Sequence, residues 1–200
     1  IQASHPVPDW PMQLFLLRDG LGAPWRALRL CPRSRVDTGR MGDRGRYQHD
    51  SLGVEIAADD RFELSRSQRF VPSMQVGFDL GDGRTMHVFG MRVGADDRAD
   101  DGTLLARLTS GASALLGHVD RPGWIAIRRG AGQLQPTRSV VLQLPTDGGR
   151  WQAVGWALFR AGARAFVVEC RADGGSKSDA WNQFERAQSE FQAIADRIRV

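Results

Sequence analysis

The chain has 200 residues and a mass of 22.1 kDa, and its 42% hydrophobic and 25% charged residues are typical of one globular domain. The formal net charge is +4, yet the pI is about 10.0 because every basic residue except Lys177 is arginine. Two cysteines and four histidines exclude a cysteine-rich zinc module, and no apolar run is long enough to predict a transmembrane helix.

The first quarter of the chain is predicted to hold a hairpin and then a long loop. Residues 12–17 and 25–30 have strand-like composition, with glycines between them that favour a turn. Residues 32–51 are polar, rich in glycine and arginine, and without periodicity, which predicts a loop. The loop concentrates positive charge in five arginines: Arg33, Arg35, Arg40, Arg44 and Arg46.

Short strands are predicted through the middle of the chain. Residues 53–57 and 61–64 each place apolar side chains on both sides of a glutamate. Residues 74–80 alternate apolar and polar positions, the pattern of a half-buried strand. The glycine-rich turn at 81–83 and the strand that returns over 85–93 complete a hairpin.

The apolar period then changes from two residues to three or four. Residues 103–116 place leucine and alanine on one helical face, and Gly117 is suited to end that helix. Strands are predicted again at 124–128, 139–144, 151–160 and 164–171. The strand at 151–160 has apolar or small residues on both faces, so we expect it to be central and covered on both sides.

The chain is predicted to end in a helix that carries an aromatic stripe. Ser178 is expected as its N-cap, and apolar residues recur at helical spacing over 181–198. The order of strands, helix, strands, helix predicts an α+β fold, with a largely antiparallel sheet covered by two main helices. We expect residues 1–200 to form a single domain.

The last third of the chain resembles a known group of domains. The pair Leu144-Pro145, the strands at 151–160 and 164–170, and the ending Ile198-Arg199-Val200 follow the pattern that closes PsbP-like and DcrB-like domains. The ending departs from that pattern because it lacks the serine and phenylalanine of an "SFR"-like close. The resemblance implies an α/β/α sandwich and a non-catalytic binding role, and it carries no functional residues over.

The sequence predicts no catalytic residue, no metal site and no cofactor. Ser110 or Ser113 could be combined with His118 and Asp120 into a hydrolase triad, but no GxSxG turn is present to support it. The four histidines are far apart and lack the spacing of a metal site.

The compartment is the least constrained property of this sequence. Because the first residue is Ile1, removal of a leader is one interpretation, which favours a periplasmic or secreted protein over a cytoplasmic one. Export would permit a disulfide between Cys31 and Cys170, and two buried free thiols are the alternative.

These observations favour a non-catalytic, protein-binding domain of an exported bacterial protein. A secretion-system accessory and a toxin-neutralising immunity protein both fit. The arginine-rich loop is the predicted contact surface, and a partner with an acidic surface would complement it. The alternatives are an anion- or nucleic-acid-binding domain that uses the same arginines, and a hydrolase. Nucleic acid is disfavoured because Tyr47 is the one aromatic residue in that loop.

Overall fold

The computed structural model describes residues 39–42, 45–64, 74–92, 100–103, 105, 118–120, 124–128 and 134–200. Within these ranges the chain forms two β-sheets and a C-terminal pair of helices, so the predicted α+β class is confirmed. The strands predicted at 12–17 and 25–30 lie outside the described residues. None of the helices in these ranges is long and apolar enough to cross a membrane.

The larger sheet has seven strands, and every pair of neighbours in it is antiparallel. In spatial order they are β4 (Phe62–Leu64), β5 (Met74–Gly81), β6 (Arg84–Arg92), β12 (Arg164–Gly174), β11 (Trp151–Arg160), β10 (Arg138–Pro145) and β7 (His118–Asp120). The hairpin β5–β6 is the one that the glycine-rich turn at 81–83 predicts, and the predicted strands β11 and β12 pair with each other directly. The alternation of apolar and polar residues and the turn-forming glycines therefore predict most strands of this sheet.

Strand β11 is covered on both faces, as its composition predicts. Trp156 and its neighbours at every second position belong to one apolar cluster, which also includes the helical residue Leu105. Ala157 and Phe159 belong to the other cluster, which contains the C-terminal helices and the smaller sheet. Trp156 thus lies on the face opposite the C-terminal helices.

The smaller sheet has six short strands, and the sequence did not predict it as a separate sheet. In spatial order they are β1 (Arg40–Gly42), β2 (Arg46–His49), β3 (Val54–Ala57), β13 (Ile198–Arg199), β8 (Ala126–Arg128) and β9 (Leu134–Pro136). Neighbours are antiparallel except for β13 and β8, which run parallel. Its strands come from three distant parts of the chain, and tertiary packing is what brings them together.

The prediction of a continuous loop over 32–51 is wrong in its second half. Residues 40–42 and 46–49 are strands, and a 3₁₀ turn, η1 (Asp50–Leu52), follows them. Strand β2 does alternate, but the residues it buries are Tyr47 and His49 rather than aliphatic ones. The alternating burial of β2 therefore could not be recognised from hydrophobicity, because a tyrosine and a histidine occupy the buried positions.

The C-terminal helix differs from its prediction at both ends. Its first part, α1, spans Lys177–Arg186, and Ser176 rather than Ser178 is the N-cap. It is interrupted at Ala187 and continues as α2 (Gln188–Ala195). The last residues leave the helix altogether, because Ile198 pairs with β3 and completes the smaller sheet.

Aromatic rings join the helices to the larger sheet. Helix α1 packs across β10, β11 and β12, while α2 contacts β8. Phe184 of α1 and Phe191 of α2 are fully buried and in ring contact with each other. Trp124 packs against both, at 5.2 Å between ring centroids for Phe184 and 6.5 Å for Phe191. Burial of such side chains stabilises a fold by about 1.5–3 kcal/mol each.

Candidate functional site

Two of the five predicted contact arginines lie within the described residues, and both are on strands. Arg40 is in β1, at the end of the smaller sheet, and Arg46 is in the neighbouring β2. Arg33, Arg35 and Arg44 lie outside the described residues. Part of the predicted loop is therefore a surface formed by two strands, β1 and β2.

The smaller sheet has a buried face and an outward face. Tyr47, His49, Val54 and Ile56 point into the core, so the residues between them on β2 and β3 point outward. Strand pairing continues the outward face across the sheet in a transverse row: Arg40, Gln48, Glu55, Arg199 and Arg128 are successive register partners.

We call this surface the arginine face. It comprises four arginines, one glutamine and one glutamate: Arg40, Arg46, Arg128, Arg199, Gln48 and Glu55. Neither Arg128 nor Arg199 was among the predicted contact residues. The sequence signal that could have found Arg128 is the alternation at 126–128. Arg199 had no such signal, because the residues before it, 181–198, were predicted to form a helix.

Acidic side chains neutralise only part of the arginine face. Arg40 pairs with Asp50 at 3.3 Å between Nη2 and Oδ2, and its side chain is still 69% exposed. Arg46 donates to the carboxylate of Glu55. Arg199 is exposed, and no ion pair is recorded for it among the described residues. Among the six residues of the face itself, four are arginines and one is a glutamate.

An open cleft of about 550 Å³ lies beside the row. Gln48, Asp50, Glu55 and Arg199 contribute to its walls. It combines hydrogen-bond donors with two carboxylates, and its openness suits a protruding side chain of another molecule better than an enclosed small ligand.

An exposed apolar side chain lies at the end of the smaller sheet. Met41 of β1 is 45% exposed, and it is the large hydrophobic side chain that stands out at the surface of the described residues. It is the register partner of the inward-facing Tyr47, so its side chain is on the opposite face of β1 from Arg40, and it is exposed because β1 is the edge strand. Methionine and arginine are both enriched in protein–protein interfaces.

The aromatic residue nearest to these arginines faces the core. Tyr47 is fully buried and packs on Phe62, with ring centroids 5.6 Å apart. It therefore offers no ring on which a nucleic-acid base could stack.

A second polar cluster lies on the larger sheet and has a structural role. The fully buried Glu169 accepts the indole N–H of Trp156 at 2.7 Å and the Nε–H of Arg171 at 2.6 Å. His87 adjoins them, with Nδ1 3.7 Å from Glu169 Oε1. A buried carboxylate needs such partners, so the cluster fixes the pairing of β6, β12 and β11.

The other candidate chemistry gains no support from geometry. Cys170 is a free thiol, and complete burial, with a smaller contribution from Glu169, raises its pKa well above the ordinary value. Cys31, Ser110 and Ser113 lie outside the described residues, and His118 begins strand β7. Within the described ranges, no group of three acidic, histidine or cysteine side chains could hold a metal ion.

Three solved structures are similar to this chain at 13–14% identity. The PsbP of Synechocystis matches over 81% of this chain and 96% of its own, with a TM-score of 0.49 and 14% identity. The Ran-binding protein Mog1p of Saccharomyces cerevisiae matches over 72% and 88%, with a TM-score of 0.45 and 13% identity. LpqN of Mycobacterium tuberculosis, involved in cell envelope biogenesis, matches over 73% and 82%, with a TM-score of 0.41 and 14% identity.

A PsbP is among these structures, as the resemblance of the last third of the chain predicts. The likenesses concern the chain fold, and none of them gives a role to a residue of this chain. No family model matches the chain, and no curated protein matches it in sequence.

Proposed function

We propose that this chain is a non-catalytic, protein-binding domain that uses the arginine face to contact an acidic surface of its partner. The observation that carries the proposal is the transverse row, in which strand pairing aligns Arg40, Arg128 and Arg199 on one outward face. Charges arranged in this way steer an oppositely charged partner and fix its register.

Two further features support a protein partner. Met41 is an exposed apolar side chain of the edge strand β1, on the opposite face from Arg40, and a protein that wraps around this edge would bury it. The predicted contact residue Arg44 lies in sequence between β1 and β2, and Arg33 and Arg35 precede β1. We include these three arginines in the proposed contact surface.

The biological setting belongs to the same proposal. We infer an exported bacterial protein, periplasmic or secreted, that acts as a secretion-system accessory or neutralises a toxin as an immunity protein. The two roles predict different neighbouring genes: components of a secretion apparatus in the first case and a toxin gene in the second.

Anion or nucleic-acid binding is the second candidate function. A row of guanidinium groups, each able to bind an oxyanion through two N–H donors, favours it. The burial of Tyr47 disfavours nucleic acid, since its ring is not available beside the arginines for a base to stack on. Oligonucleotide binding that weakens steeply as salt rises would support this second function.

The contact surface can be tested with a partner captured through a photo-crosslinker placed at Gln48, which lies on the arginine face between Arg40 and Glu55. We expect Arg40→Ala and Arg46→Ala to weaken binding of that partner roughly 3- to 30-fold each, and more at low salt than at high salt. Arg150→Ala is the matched control, because Arg150 is exposed but lies beyond the smaller sheet, beside the 3₁₀ turn η2 (Asp147–Gly149). Unchanged affinity in both arginine variants would contradict the proposed surface.

A further inference from the structure

We propose that the outer edge of strand β1 binds an extended segment of the protein partner, which adds to the smaller sheet as a seventh strand. This inference rests on the proposed function, and it specifies the form in which the partner is bound. The segment places an apolar side chain beside Met41 and acidic side chains on the other face of the sheet, beside Arg40.

Strand β1 has a neighbour on one side within the described part of the chain. It is the last of the six strands in the smaller sheet, and it pairs with β2. No described residue pairs with its other side. An edge strand offers backbone N–H and C=O groups to an incoming strand, and many proteins bind extended peptides in this way.

The hydrogen-bond pattern of β2 shows which residue of β1 directs its backbone outward. The N–H of Ala58 donates to the C=O of Gly45 at 2.8 Å, so Gly45 directs its backbone groups toward the side of β3. Because this direction alternates along an antiparallel strand, Tyr47 also faces β3, whereas Gln48 faces β1. Met41 is the register partner of Tyr47, so its N–H and C=O point away from β2 to the outer edge.

The side chain of Met41 supports docking at the same position. It is 45% exposed, and it lies on the same face of the sheet as the buried Tyr47. A residue opposite Met41 in an added strand would place its side chain on that face, where an apolar group extends the core. Methionine suits this contact because its flexible side chain adapts to different partners.

Charge favours an acidic segment of another protein over a second copy of this chain. Arg40 and Arg46 lie on the outward face, with side chains 69% and 42% exposed. Pairing of two β1 edges would bring the arginines of both copies onto one face, and like charges on neighbouring strands are unfavourable. The ion pair between Arg40 and Asp50 is exposed and therefore weak, so a carboxylate of an added strand can compete for Arg40.

Binding of the captured partner, once purified, separates backbone pairing from side-chain contact. Met41→Pro removes the outward N–H without removing a bond to β2, so we expect the fold to persist and binding to weaken by roughly 10-fold. Met41→Leu should bind as the wild type does, and Met41→Ala should lose less than Met41→Pro. Equal losses in M41P and M41A would indicate a side-chain contact alone and would overturn strand addition.

Amide hydrogen exchange followed by NMR tests the same pairing in the unaltered chain. Without partner, the N–H of Met41 should exchange faster than that of Gln48, and the partner should slow it by roughly 10-fold or more. The N–H of Arg150, which lies beyond the smaller sheet, should not respond. Protection of the Met41 N–H without partner would show that the edge is already covered and would overturn the inference.

The same variants separate this inference from the proposed function. If R40A and R46A weaken binding while M41P does not, the arginine face stands and strand addition is wrong. If M41P weakens binding and the two arginine variants do not, edge pairing stands, and the arginine face and the acidic character of the segment fail. A dimer in sedimentation velocity that M41P abolishes would identify a second copy as the occupant and overturn the inference.

Discussion

Gly155 shows how one residue determines the fit of a helix on a sheet. It lies in β11, and a Cβ added to it would approach Phe184 Cζ to 2.5 Å and Trp124 Cζ2 to 2.6 Å. Real Cβ atoms do not come this close to ring carbons, so the two rings occupy the space that any larger residue would need. The alternation of β11 indicates a buried position, but only the packed rings explain why it is glycine.

We expect Gly155→Ala to lower the free energy of unfolding by roughly 1–3 kcal/mol, because Phe184 and Trp124 must shift within a packed core. Equilibrium urea unfolding would measure the change. Gly42→Ala is the control: it is the same substitution in a strand, but its nearest contact is 3.4 Å from the added Cβ. A similar cost at both positions would rule out close ring packing as the cause.

The buried Glu169 is a second case in which tertiary contacts decide the role of a residue. A glutamate in the middle of an apolar strand disagrees with the local pattern of β12. Its carboxylate is satisfied by Trp156 from β11 and by Arg171, and His87 of β6 lies beside it. Charge-assisted hydrogen bonds, one from the neighbouring strand β11 and one from β12 itself, thus replace the water that burial removes.

At the scale of elements, helix α1 depends on the serine that starts it. The hydroxyl of Ser176 accepts the backbone N–H of Asp179 at 3.1 Å, which satisfies one of the donors left open at a helix start. Asp179 lies in the first turn, where the helix dipole favours negative charge. Ser178 follows the capping position and lies inside the helix.

The two serines make a matched pair of substitutions. Ser176→Ala should lower the free energy of unfolding by about 1 kcal/mol, because the N–H of Asp179 loses its acceptor. Ser178→Ala should change it by less than about 0.5 kcal/mol, as is usual for an exposed helical position. Thermal unfolding followed by circular dichroism would compare them, and a larger effect at Ser178 would restore the sequence-based assignment of the cap.

The end of the chain illustrates why periodicity alone misplaced an element. Ile194 and Ile198 are four residues apart, so both fit one face of a continuous helix. In the structure, Ile198 is buried because β13 inserts it between β3 and β8. A strand of two residues is too short to leave a period in the sequence, and its partners are distant along the chain.

At the scale of the whole molecule, a network of ion pairs joins the two sheets. Asp59, which follows β3, accepts from Arg61 at 2.6 Å and also from Arg197 near β13. Glu190 of α2 accepts from Arg61 at 3.2 Å and from Arg84 of β6 at 2.8 Å. The network therefore connects both sheets and the second helix, and its members range from position 59 to position 197 in the chain.

The network should make stability depend on pH. The hydrogen bond from Arg61, with support from Arg197, lowers the pKa of Asp59 well below its usual value. A carboxylate with a lowered pKa in the folded state contributes fully above its unfolded pKa of about 3.9 and loses the contribution as pH falls toward the folded value. The loss therefore occurs below about pH 4.

We expect Asp59→Asn to lower the free energy of unfolding by about 1–2 kcal/mol at pH 7, because the charged hydrogen bonds from its arginine partners are lost. The side chain of Asp59 is 24% exposed, so solvent screening limits the size of the effect. The difference from the wild type should narrow as pH falls from 4 to 2. Urea unfolding at each pH would measure it. Asp60→Asn, at an exposed neighbouring position, is the control, and a constant difference across this range would contradict the role of Asp59.

Local sequence patterns predicted the parts of the fold that local interactions form. The alternation at 74–80, the glycine turn after it and the composition of 151–160 correspond to β5, its hairpin with β6, and the central β11. Hydrophobic periods and turn residues act over a few positions, so they can be read without knowing the rest of the chain.

The sequence by itself determined the α+β class, the antiparallel hairpins and the concentration of arginines at 33–46. The smaller sheet and the row of Arg40, Arg128 and Arg199 were decided by the tertiary structure. The physical reason is that these arginines become neighbours only when strands from positions 40, 128 and 199 pair. Pairing of such distant strands depends on burying Tyr47, Ile127 and Ile198 together in one core. The free energy of that burial cannot be read from any short segment of the sequence, because the three residues are far apart along the chain.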